Sequence, residues 1–127
     1  MTMPPDILAS YEGADVDPVI RPLLEAAYLA LTGPRPILSN VKASLEVVLL
    51  FLTSPHGKTH ANCVATEHFF RSRGQWPVVW DSLPQSYVTV LDDIGSLLHD
   101  AIAAPEIAAN FGSTPDLLLD RVRLLPR

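Results

Sequence analysis

Pro84-Gln85-Ser86-Tyr87-Val88-Thr89-Val90-Leu91-Asp92-Asp93-Ile94-Gly95-Ser96-Leu97-Leu98-His99-Asp100-Ala101-Ile102 is the stretch whose period decides the fold class. Tyr87, Val90, Leu91, Ile94, Leu97, Leu98, Ala101 and Ile102 recur at three- and four-residue spacing, the signature of a helix with one apolar face. Asp92, Asp93, Ser96, His99 and Asp100 fall on the other side, where water accepts them. Pro84 is suited to the helix start, since its missing N–H would lack a partner there in any case.

The same period recurs on both sides of this segment. Asp17-Pro18 reads as N-cap and first helical residue of a helix carrying Leu23, Leu24, Ala27, Tyr28 and Leu31, stopped by Gly33-Pro34. Pro36 opens a second helix to about Thr53, with Leu38, Val41, Leu45, Val48, Leu49 and Leu52 in one stripe. Val47, Leu50 and Phe51 make its opposite side apolar as well, so it is expected at the centre of the fold or at a subunit interface. Thr59 caps a third helix that ends near Arg73-Gly74, with Cys63, Ala65, Thr66, Phe69 and Phe70 inward. Trp76 and Trp80 lie in the connector that follows. After the 84–102 helix, Pro105 starts a short fifth helix closed by Gly112. Ser113-Thr114-Pro115-Asp116 then caps a sixth, with Leu117, Leu118, Val122 and Leu125 inward and Arg121 and Arg123 outward. No convincing strand and no repeat is present. The expectation is an all-α, compact single-domain bundle of five to six helices with mostly antiparallel neighbours. It spans 17–127, preceded by a loosely ordered acidic arm at 1–16.

The totals remove several function classes. Net charge is −5, and the nine cations are scattered. Phosphate backbones demand concentrated positive charge, which argues against nucleic acid and against an anionic membrane surface. No run approaches the ~20 apolar residues that span a bilayer. Cys63 is the only cysteine, so no disulfide forms within the chain, and the N-terminus has neither the basic start nor the apolar core of a secretion signal. A cytoplasmic protein is expected. Only 18% of residues are charged, against ~25% in a typical domain, which leaves apolar surface for another subunit to cover.

The potential ligands concentrate in His56, His60, Cys63, Glu67 and His68. The position one turn after His60 is Val64, so the paired histidines of a helical zinc site are missing, and Glu67 has Arg71 at i+4 as an ordinary ion-pair partner. Asp92, Ser96 and His99 share a face, but a catalytic triad needs the imidazole between hydroxyl and carboxylate, and here the hydroxyl is in the middle. From Gly74 to Asp120 there is no Lys or Arg. The acids of the 84–102 helix therefore lack a local cation, and Arg121, Arg123 and Arg127 could neutralise them only if the last helix folds back.

His99-Asp100, within Leu97-Leu98-His99-Asp100-Ala101, resembles the central dipeptide of the HD-domain metal phosphohydrolases, which are also all-helical. The resemblance implies a divalent metal held by an earlier histidine (His60 or His68), by His99 and Asp100, and by a later Asp116 or Asp120. It covers two adjacent residues. The Ile-Gly that commonly follows the dipeptide is absent, as is a basic cluster for a phosphate substrate.

The leading expectation is a small non-catalytic protein-interaction module that self-associates, with no cofactor. Its partner-binding residues would be Asp92, Asp93, Ser96 and Asp100 on the acidic face and Val47, Leu50 and Phe51 on the second helix. The alternatives are an HD-like hydrolase, with His99 and Asp100 catalytic and His60, His68, His99 and Asp100 as metal ligands, and a small-molecule binder with Trp76 and Trp80 as pocket walls.

Overall fold

Helical periodicity is realised in five helices: α1 Ile20–Thr32, α2 Leu38–Thr53, α3 His60–Arg71, α4 Gln85–Ala103 and α5 Asn110–Arg123. The computed structural model describes residues 18–32, 36–72, 83–103 and 110–126, the side chains of 110–113 excepted. No strand occurs among the described residues. The fold is an all-α bundle.

α2, α4 and α5 each pack on two neighbours, and α1 and α3 chiefly on one. α2 lies between α1 and α5, α4 lies between α5 and α3, and α1 touches α3 lightly. The direction of two pairs follows from their contacts. Arg71 meets Gly95 and Glu67 meets His99, so α3 and α4 run antiparallel. Tyr87 meets Pro126 and Asp93 meets Arg121, so α4 and the end of α5 do the same.

The core is assembled from the stripes read in the sequence. Tyr28, Leu45, Leu49, Leu52, Phe69, Phe70, Tyr87, Leu91, Ile94, Leu118 and Val122 are all buried in one cluster. Burying one such side chain contributes roughly 1.5–3 kcal/mol. Phe69 and Phe70 meet edge to face with centroids 5.1 Å apart, the arrangement that sets a positive ring edge against a negative face.

The α2–α3 connector is tied by side chains. Ser54 Oγ donates to Phe51 O at 2.6 Å and accepts from the Gly57 amide at 3.0 Å. Thr59 caps α3 as expected, its Oγ1 accepting from the Asn62 amide at 3.1 Å. The buried Asn62 side chain donates back to Gly57 O at 3.0 Å. Gly57 is there for space: a Cβ would sit 2.0 Å from the Phe51 carbonyl oxygen.

Two expectations are corrected. Gly112 does not close a helix and Ser113–Asp116 does not open one, since α5 runs through both with Pro115 inside it. An interior proline removes one backbone bond at a cost of ~3 kcal/mol, and the buried row of Pro115, Leu118, Leu119 and Val122 holds the helix together. This continuous helix also shifts the inward set: Leu117 is 48% exposed, and Leu119 takes the core place at 5%. Lys42, on which the sequence reading made no claim, is buried beside Val41 in the apolar stripe of α2. Its Nζ donates to Arg123 O at 2.9 Å and Leu125 O at 2.8 Å, carbonyls at the end of α5 that the helix itself leaves without donors. Tyr87 Oη lies 3.3 Å from Leu38 O and also against Pro126 O, and its single proton can serve either carbonyl. The acidic arm at 1–16, Asp17, Gly33-Pro34, Arg73-Gly74, both tryptophans and the Pro105 helix start lie outside the described residues.

Candidate functional site

Two surfaces carry the residues singled out by the sequence. The first is the α3–α4 seam. Gly95 lets the helices approach closely, since a Cβ there would stand 2.9 Å from Arg71 Cγ. The Arg71 stem therefore lies across α4. Beside it is a shallow groove of about 190 Å³, lined by Phe70, Arg71, Leu91, Asp92, Gly95 and Ser96. One turn away, Glu67 Oε1 lies 3.2 Å from His99 Nδ1 and accepts from the Arg71 guanidinium at 3.4 Å. The intrahelical Glu67–Arg71 pair read from sequence is thus joined by a histidine from α4.

The acidic face of α4 is divided by this packing. Asp93 is half-buried and paired with Arg121 of α5, so the fold-back of the last helix supplies the cation that α4 itself lacks. Asp92, Ser96 and Asp100 remain exposed. The partly exposed Asp93–Arg121 pair is of the kind that contributes about 1 kcal/mol or less and weakens with salt.

The metal candidates occupy separate places. His60 is the exposed first residue of α3, and His68 is half-buried in its last turn, a separation of about 12 Å at 1.5 Å per residue. His99 faces Glu67, and Asp100 is exposed beside it. Among the described residues, no three His, Cys, Asp or Glu side chains gather where they could hold a metal ion. Cys63 is fully buried, and burial pushes its thiol up to about 11. A nucleophilic cysteine needs the opposite shift, so Cys63 serves the core.

The second surface is the outer side of α2. Val47 is 46% exposed and Leu50 44%, one turn apart. Phe51 is half-buried, its ring edge-on to His56 at 6.3 Å. Within one chain, then, α2 is buried on one side only. Sequence reasoning found this apolar pair. It missed the Glu67–His99 contact, which joins residues far apart in the chain and has no local signature. Among the described residues, no helix is long and apolar enough to cross a membrane. No protein-family model, no curated protein and no solved structure matches this chain.

Proposed function

We propose that the protein is a non-catalytic protein-interaction module that associates with a second copy of itself. The observation that carries this is the open apolar pair Val47 and Leu50 on a helix whose other side is fully packed. Isolated exposed leucines are ordinary on protein surfaces. Adjacent ones on a helix flanked by two others form a patch, and apolar patches are where subunits meet. The low charge content of the chain, 18%, supports the same reading.

A second copy fits this surface better than it fits the acidic side of the molecule. Twofold association brings a patch against itself, so Asp92 and Asp100 would meet like charges. The test is sedimentation equilibrium of the full chain from micromolar to near-millimolar concentration. The expected result is a mass rising from 13.9 kDa towards its double. A mass that stays at the monomer value throughout would sink the proposal.

A further inference from the structure

We draw no further inference here: the strongest candidate, the exposed apolar patch of Val47 and Leu50 on the outer side of α2, belongs to the surface already described, and nothing in the structure shows what covers it.

Discussion

Replacing Lys42 with methionine isolates the contact that ties the end of α5 to the rest of the bundle. Methionine keeps most of the aliphatic stem and removes the ammonium. Two hydrogen bonds disappear, to Arg123 O at 2.9 Å and Leu125 O at 2.8 Å. Bonds from a charged donor contribute about 1.5–3 kcal/mol each, so the gross loss is about 3–6 kcal/mol. Part of it returns, because the folded state no longer holds a desolvated ammonium. Part does not, because Leu125 is buried and its carbonyl is left without a donor, at about 1–3 kcal/mol. The expected net loss is about 2–3 kcal/mol, a large share of the ~5–15 kcal/mol that holds a domain folded. Urea unfolding followed by far-ultraviolet circular dichroism measures it. With a slope of about 1–3 kcal/mol per molar, the midpoint should fall by about 1–2 M. Lys58→Met, at an exposed position, is the control and should stay within about 0.5 kcal/mol of wild type. If Lys42→Met matched that control, the ammonium–carbonyl contacts would contribute nothing net, and the account of how α5 ends would be wrong.

Gly57 and Gly95 should respond differently to alanine, read by the same unfolding assay. Gly57→Ala drives a Cβ to 2.0 Å from a backbone oxygen, which cannot yield without moving the connector, so the loss should reach or exceed the ~1–3 kcal/mol typical of overpacking. Gly95→Ala meets only the flexible stem of Arg71 at 2.9 Å, and the ~1 kcal/mol gain in helix propensity offsets the shift, so stability should barely change. A Gly57→Ala protein as stable as Gly95→Ala would contradict the connector packing. Cys63 makes a prediction in pH. Its thiol ionises at about 11 when buried against 9.0 for the free group, so the unfolded chain releases its proton first. The stability it contributes is intact below pH 9 and is lost as pH rises towards 11, by an amount on the order of 2–3 kcal/mol. Cys63→Ala should abolish that part of the decline, and the native thiol should resist alkylation until urea unfolds the chain. Rapid alkylation of the native protein would show that Cys63 is not enclosed.

Much of this was legible in the chain itself, because helical periodicity is a local property. Leu24, Ala27, Tyr28 and Leu31 mark the inner face of α1 by spacing alone, and the same holds for α4 from Tyr87 to Ala101. Thr59 announced its cap because a hydroxyl next to a helix start has one natural acceptor role. The exposed pair Val47 and Leu50 was visible as apolar residues on the wrong side of a stripe that was already complete.

Spacing misled where packing overruled local rules. Gly112 reads as a stop and Pro115 as part of a fresh start, yet the buried row of α5 carries the helix through both. Nothing within a few residues of Lys42 signals a buried donor. Its partners lie 81 and 83 residues away. Asp93–Arg121 and Glu67–His99 are of the same kind. The helices, their inner faces and the outward apolar pair Val47 and Leu50 follow from the order of residues, since each depends only on neighbours within a turn or two. Which charges meet, and which carbonyls a buried lysine satisfies, were decided by how the helices pack, because those pairs exist only once distant parts of the chain share one core.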